Sequence, residues 1–256
     1  IMFSSKSDTE VILYMLARYY TGDIVEAIKL TMDQIKGAYS LVILTDKELV
    51  AVRDPHGFRP LLLGKRDDGE YIFASENCEI DILGGEFIRD LEPGEIVVVK
   101  NGELKSYNFS NKCKTMKKSC IFEHIYFARN DATIDKVNVY EFRVESGKIL
   151  SQGDDVKADM VVPVPDSGWA GAIGYANASG LPLTEALVKN RYVGRTFIKP
   201  TQEERELGVK IKLNPLSRVL KGKSIVLVDD SIVRGTTSKQ LVKSLKDAGA
   251  KEIHLR

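Results

Sequence analysis

Two adjacent carboxylates, Asp229 and Asp230, close the β-branched run 225–228 and lead into Ser231-Ile232-Val233-Arg234-Gly235-Thr236-Thr237-Ser238, after which a helical pattern begins near Ser238. Strand, acid pair, small-residue loop and helix N-terminus, in that order, suit a ribose 5-phosphate. Backbone N–H groups and the positive end of the helix dipole can receive the phosphate. Gly235 lets the backbone approach it without a Cβ in the way. Thr236, Thr237 and Ser238 add hydroxyl donors, and the carboxylates can accept from the ribose 2′- and 3′-hydroxyls. An Asp-Asp pair alone would be read as a solvated strand end; four elements in sequence argue for a site.

A second apolar run, 161–164, ends in Pro165-Asp166-Ser167-Gly168. Open α/β sheets place ligands at the C-terminal ends of their strands, so the N–H groups of this turn and the Ser167 hydroxyl could face a pyrophosphate. On its own, the tetrapeptide is an ordinary turn. Between the two loops lies a cation-rich stretch holding Lys189, Arg191, Arg195, Lys199 and Lys210. It reads either as a solvated loop or as a lid, since lids over charged substrates must supply cations and exclude water.

The elements that must carry these groups fall into two grammars. Residues 1–108 read as α+β. Ser7 with Glu10 and Asp23 with Glu26 look like capping boxes for two helices, the first running to about residue 20 and the second ended by Gly37. Strands are expected at 38–45, 48–53, 61–65, 70–74, 96–100 and 103–107, with Asn101-Gly102 as a type I′ hairpin signal. A polar, lysine-rich linker covers 109–119. Beyond it, strand–helix alternation predicts a parallel sheet with packed helices. The strands fall at 161–164, 183–187, 225–228 and from Lys251 to the end of the chain. One helix covers 169–178, with Gly180 near its end, and another puts Leu241, Val242 and Leu245 on one face before closing near Gly249.

The 256 residues are 43% hydrophobic, enough for one large core or two modest ones. With 37 basic against 36 acidic residues, nothing points to nucleic-acid or membrane-surface binding. Neither a membrane span nor a signal sequence is visible, so a cytoplasmic enzyme is expected. Cys78, Cys113 and Cys120 form neither a metal-type pair nor a disulfide framework. Both ends read as cut: the chain opens at Ile1 and stops within an expected strand.

The string from Ser224 to Ser238 closely resembles the phosphoribosyl pyrophosphate (PRPP) signature of type I phosphoribosyltransferases, in which the acid pair grips the ribose and the loop holds the 5-phosphate. Asp166, Ser167 and Gly168 resemble that family's pyrophosphate loop. The stretch from Lys189 through Arg191 and Arg195, and Glu123-His124-Ile125-Tyr126-Phe127-Ala128-Arg129, are similar to glutamine PRPP amidotransferases in particular. Departures are Asn130 for Pro, Ala132 for Ser and Lys210 for Arg. Ser7-Asp8-Thr9-Glu10, Gly37-Ala38-Tyr39-Ser40, Arg53-Asp54-Pro55-His56-Gly57-Phe58-Arg59-Pro60, Ala74-Ser75-Glu76-Asn77-Cys78 and Glu92-Pro93-Gly94-Glu95 resemble strings of the same family's glutaminase.

The resemblance implies that 1–108 is the later part of an N-terminal-nucleophile (type 2) glutaminase domain and 120–256 a type I phosphoribosyltransferase domain, each incomplete. Asp8 would hold the α-amino group of glutamine, and the N-terminal cysteine nucleophile would lie outside this chain. Substrate contacts would fall on Asp229, Asp230, Ser231, Arg234, Gly235, Thr236, Thr237, Ser238, Asp166, Ser167, Gly168, Lys189, Arg191 and Arg195. Mg²⁺ contacts would fall on Ser167, Asp229 and Asp230. Some members carry a [4Fe–4S] cluster with one ligand at the place of Cys120, and others have cysteine there without a cluster, so both remain open. The implied reaction converts PRPP, glutamine and water to 5-phosphoribosylamine, glutamate and pyrophosphate, the first step of purine synthesis. Purine nucleotides are the implied feedback inhibitors and a tetramer the implied assembly. The competing readings are a PRPP-binding regulator, which would carry a basic DNA-binding segment, and a salvage phosphoribosyltransferase, which would not need residues 1–108.

Overall fold

The computed structural model describes residues 3–109, 117–190, 213–233 and 235–256, with the Thr236 side chain outside the description. They form two compact units, one reaching to Glu123 and including Ala132–Asp135, the other comprising His124–Asp131 and the chain from Lys136 on.

In the first unit, α1 (Asp8–Tyr19) and α2 (Ile24–Gln34) lie on an antiparallel sheet of order β1-β2-β6-β7, built from β1 (Ser40–Leu44), β2 (Leu49–Arg53), β6 (Glu95–Lys100) and β7 (Glu103–Asn108). Side-chain alternation divides its faces. Val50, Val52, Ile96 and Val98 pack against Leu16, Val25, Ile28 and Met32 of the helices. Ala51 and Val97 face Leu61, Leu63 and Leu91, which belong to or adjoin a second sheet of order β4-β3-β5. That sheet comprises β3 (Leu62–Arg66), β4 (Tyr71–Ala74) and β5 (Gly85–Asp90). Leu62 and Ala74 meet Ile80 of α3 (Asn77–Ile82) on its far side. The α+β expectation holds.

The β6–β7 connection is the two-residue loop expected: Lys100 pairs with Glu103, and Asn101 and Gly102 sit at φ 50° and 78°. The helix starts differ from expectation. Ser7 makes no side-chain cap; Glu10 instead reaches past it to accept from the N–H and hydroxyl groups of Ser4 and Ser5. Asp23 does cap α2, accepting from Val25 and Glu26 N–H at 2.9 and 3.3 Å, while the Glu26 side chain turns to Lys29. The helix stops at Gln34, before Gly37. The elements α3 and β5 were not foreseen, being short and without a clear period.

Residues 117–123 are fastened to this unit. Lys118 and Cys120 donate their N–H groups to the carbonyls of His56 and Phe58 at 2.9 and 3.0 Å. Asp135 accepts from Lys117 and, at 2.7 Å, from Ser119. The remainder of the expected linker, 110–116, lies outside the described residues.

Short strands β8 (Thr133–Ile134) and β9 (Val137–Asn138) flank Asp135 and Lys136, both at positive φ. The second unit then follows α4 (Val139–Gln152), β10 (Met160–Pro163), α5 (Trp169–Ser179), β11 (Leu187–Lys189), β12 (Leu213–Pro215), α6 (Ser217–Leu220), β13 (Ser224–Val228), α7 (Thr236–Asp247) and β14 (Glu252–Leu255). Strands β10, β13 and β14 form the parallel sheet, with Met160 opposite Ile225 and Ser224 opposite Glu252. Both faces are covered, as parallel sheets require. Val161, Val226 and Val228 pack on Ala172, Tyr175 and Ala176 of α5. On the other face, Val162, Ile225 and Leu227 pack on Leu241 and Leu245 of α7.

The strand expected at 183–187 is displaced. Leu183 makes a single bridge to Val161, and the regular pairing is Leu187–Lys189 against Leu213–Pro215. Helix α4 was also missed. Its contact with α5 is built on glycine rather than on a stripe of large apolar residues. A Cβ on Gly147 would lie 1.9 Å from the Gly171 carbonyl oxygen, and one on Gly174 would lie 1.8 Å from that of Val144. Among the described residues no helix is long and apolar enough to cross a membrane.

Because backbone, not a flexible side chain, fills the space beside Gly174, overpacking cannot be relieved locally. Gly174→Ala should lower the unfolding free energy by about 1–3 kcal/mol, read as a lower urea midpoint. An unchanged midpoint would mean that α4 and α5 can separate at no cost.

Candidate functional site

The site lies at the C-terminal ends of β10 and β13. These strands are adjacent and in register, Pro163 opposite Val228, so the segments leaving them start side by side. Val164 donates its N–H to the Val228 carbonyl at 2.8 Å, and Gly168 donates back to Val164 O at 2.8 Å. Gly168 is held so close that a Cβ there would sit 2.3 Å from the Val228 oxygen. The glycine of Pro165-Asp166-Ser167-Gly168 is thus required by packing against the neighbouring strand. The Pro165–Asp166 peptide is cis, Asp166 is exposed, Ser167 half-buried, and α5 begins at Trp169.

On the neighbouring strand, Asp229 and Asp230 are both half-buried. Asp229 hangs from the sheet, its N–H donating to the Arg256 carbonyl at 3.0 Å. Its carboxylate accepts the Asp230 N–H at 2.9 Å. The Ser231 hydroxyl donates to the Asp230 carboxylate. Burial, opposed by the Asp230 N–H and reinforced by the Asp230 charge, pushes the Asp229 carboxyl up to about 6. Gly235, at φ 69°, takes the left-handed conformation that turns the chain into α7, and its carbonyl accepts from Lys239 N–H at 2.9 Å. Helix α7 starts at Thr236, two residues earlier than the sequence suggested, so the N–H groups of Thr236, Thr237 and Ser238 form its first turn.

Lys189, at the end of β11, forms an ion pair with Asp166. The structure therefore brings together Asp166, Ser167, Gly168 and Lys189 around one loop, and Asp229, Asp230, Ser231, Gly235, Thr236, Thr237 and Ser238 around the other. Arg191, Arg195, Lys199, Lys210 and Arg234 lie outside the described residues, as do Ile1 and Cys113. Asp8 belongs to the first unit, exposed in the first turn of α1. Among the described residues no three His, Cys, Asp or Glu side chains converge as a metal cluster would require, and neither Cys78 nor Cys120 is in a disulfide.

Two strings of the first unit are architectural in this structure. The Arg53 guanidinium is buried and donates to the carbonyls of Arg59, Leu91 and Gly57, while Asp54 accepts from the N–H groups of His56 and Phe58. Glu95, also buried, accepts from Arg89, Ser106 and the Glu92 N–H, and these donors outweigh burial and lower its pKa. Sequence reasoning missed Asp154, Tyr175 and Arg256, which form a hydrogen-bonded group next to the acid pair; with Asp154 and Arg256 102 positions apart in the chain, no local signal exists.

Comparison with known proteins agrees with this geometry. Residues 1–81 match the glutamine amidotransferase domain family and residues 145–255 the phosphoribosyl transferase domain family. The whole chain is 50% identical to an amidophosphoribosyltransferase of Archaeoglobus fulgidus, 56% of which it covers. It is 48% identical to that of Staphylococcus aureus, covering 51%. Glutamine phosphoribosylpyrophosphate amidotransferase from B. subtilis, solved in complex with ADP and GMP, superimposes with a TM-score of 0.89 at 44% identity over all of this chain and 55% of that one. The chain spans about half the length of the curated relatives it matches. Sequence similarity along its full length, the two matched domains in this order and the shared fold make the chain similar to one half of an amidophosphoribosyltransferase.

Proposed function

We propose that this chain contributes to a glutamine-dependent amidophosphoribosyltransferase, a pentosyltransferase of purine synthesis acting in the cytoplasm. Residues 1–108 belong to its glutamine-hydrolysing domain and 120–256 to its PRPP-using domain, joined through 109–119. The observation that carries the reading is the pair of in-register parallel strands delivering Pro165-Asp166-Ser167-Gly168 and the Asp229–Asp230 loop side by side. The match of residues 1–81 to a glutamine amidotransferase domain favours it over a salvage phosphoribosyltransferase and over a PRPP-binding regulator.

In this reading, water hydrolyses glutamine to glutamate and ammonia, and the ammonia displaces pyrophosphate from C1 of PRPP, yielding 5-phosphoribosylamine. Asp229 and Asp230 accept hydrogen bonds from the ribose hydroxyls. The first-turn N–H groups of α7 receive the 5-phosphate, and Ser231, Arg234, Thr236, Thr237 and Ser238 are its further proposed contacts. Ser167 and the N–H groups beside it face the diphosphate, whose charge competes with Asp166 for Lys189; Arg191 and Arg195 add further cations. Asp8 positions the α-amino group of glutamine.

Mg²⁺ commonly keeps several waters and is held by one or two carboxylates plus substrate phosphates. Two carboxylates and the Ser167 hydroxyl suit that mode and do not suit an all-protein cage. Mg²⁺, when bound, supplies positive charge to the departing diphosphate. An iron–sulfur cubane needs four thiolates, and the three cysteines of this chain do not supply them; Cys120 is at most one ligand. Purine nucleotides are proposed as feedback ligands, by analogy with the ADP and GMP bound to the B. subtilis relative, and the assembly as a homo-oligomer.

Two substitutions test the acid pair. Asp230→Asn removes a charged acceptor, a loss on the order of 1.5–3 kcal/mol, so Mg²⁺-PRPP affinity by titration calorimetry should fall roughly tenfold or more. Unchanged affinity would take the acids out of the site.

Asp229→Asn should weaken the same ligand yet stabilise the free protein. The folded pKa of Asp229, about 6, lies above its ordinary 3.8. The folded state thus binds more protons between those values, and stability falls as pH rises from about 4 to about 6. At pH 7 the buried charge is a burden that asparagine lacks. A gain of about 1 kcal/mol corresponds to roughly 2–4 °C in Tm at pH 7, with no gain at pH 4. Equal differences at both pH values would refute the assignment of strain to the Asp229 charge.

A further inference from the structure

Outside the two loops, one buried polar group touches the supports of both. Asp154 follows the Gly153 cap of α4, and its side chain is 7% exposed. It accepts the Arg256 guanidinium bidentately, Nε on Oδ2 and Nη2 on Oδ1, and the Tyr175 hydroxyl at 2.6 Å on Oδ2. Tyr175, 2% exposed, lies on α5, the helix whose N-terminus receives the Pro165–Gly168 turn. Arg256 follows β14; its N–H donates to Leu227 O at 2.9 Å and its carbonyl accepts the N–H of Asp229 at 3.0 Å.

We infer that Asp154, through Arg256 and Tyr175, is a positioning residue for the PRPP site, fixing the backbone from which Asp229 hangs to the helix that carries the pyrophosphate loop. This rests on the reading of Asp229 and Asp230 as the ribose grip. None of the three side chains belongs to the substrate-contacting set. A planar guanidinium held by two parallel bonds has one orientation, so it tethers the end of β14, whose Arg256 carbonyl holds the Asp229 amide. The surroundings favour the charged pair: Arg256 keeps the Asp154 carboxyl far below the usual carboxylate range, while burial and Asp154 push the Tyr175 hydroxyl up to about 12. Asp154 therefore acts as a fixed anion and not as a group that exchanges protons near neutrality. The arrangement costs little in chain entropy at the site because Tyr175 is already locked in the α5–sheet core.

The test uses the full chain and three variants, Asp154→Asn, Arg256→Lys and Tyr175→Phe. Two readouts are taken well below Tm: Mg²⁺-PRPP affinity by calorimetry and hydrogen exchange of the Asp229 amide by NMR. Partners one bond removed from a ligating group typically change affinity by roughly tenfold or more. Asp154→Asn should lose affinity on that order and expose the Asp229 amide to faster exchange, whereas exchange in the first unit stays as in wild type. Arg256→Lys, which keeps the charge and loses the fork, should fall between Asp154→Asn and wild type. Tyr175→Phe, with the ion pair intact, should lose least and covers the case in which Asp154→Asn does not fold. A folded Asp154→Asn variant with wild-type affinity overturns the inference, as does an affinity loss with unaltered Asp229 exchange. Absence of PRPP binding to the wild-type chain would instead overturn the site itself, a result visible before any variant is compared.

Discussion

The contact between Gly168 and the carbonyl of Val228 is the constraint on which the second unit turns. Two parallel strands leave the sheet together, and the first chain must bend back into a helix within five residues. That bend is possible because no Cβ stands between it and the neighbouring strand, where 2.3 Å is all the space there is. The same economy recurs between α4 and α5, where Gly147 and Gly174 bring helix backbones together. A stack of close backbone contacts leaves little freedom for the loops at its top, as a site needs if it is to recognise a ligand by position.

Electrostatics at that end of the sheet are arranged at some cost to the free protein. Asp229 is pushed towards neutrality by its burial, and the Asp230 charge pushes in the same direction. Two carboxylates at adjacent positions on one strand end are poor components of a core, since burial and mutual repulsion both oppose their charge. Lys189, by contrast, already has an anion in Asp166, so the loop that follows β10 is charge-balanced in the free protein. The two loops of one site are thus set in opposite electrostatic states.

In the first unit, residues that look chemical are holding the frame. Arg53 spends its donors on three backbone carbonyls, Asp54 caps the turn beside it, and Glu95 ties β5 to the β6–β7 hairpin. A buried charge is tolerated only when it is fully hydrogen-bonded, and these are. Their presence in family-like strings reflects a loop that must be held in shape.

What was legible in the sequence is whatever depends on near neighbours. The parallel-sheet grammar of 160–256, the hairpin at Asn101-Gly102 and the strand–acid pair–glycine–helix order around Asp229 are local patterns, because turn geometry and the order of elements are decided by near neighbours. The tertiary structure alone decided the rest. It replaced the Ser7–Glu10 box with bonds to Ser4 and Ser5, since a flexible carboxylate takes the best donors in reach. It moved the expected strand at 183–187 to a pairing with residues 213–215, since a strand exists only where a partner lies. It revealed α4, whose interface is made of missing side chains and therefore carries little periodic signal. And it joined Asp154 to Arg256 across 102 residues, because an ion pair between distant positions is a property of the folded sheet and leaves no mark on the order of residues.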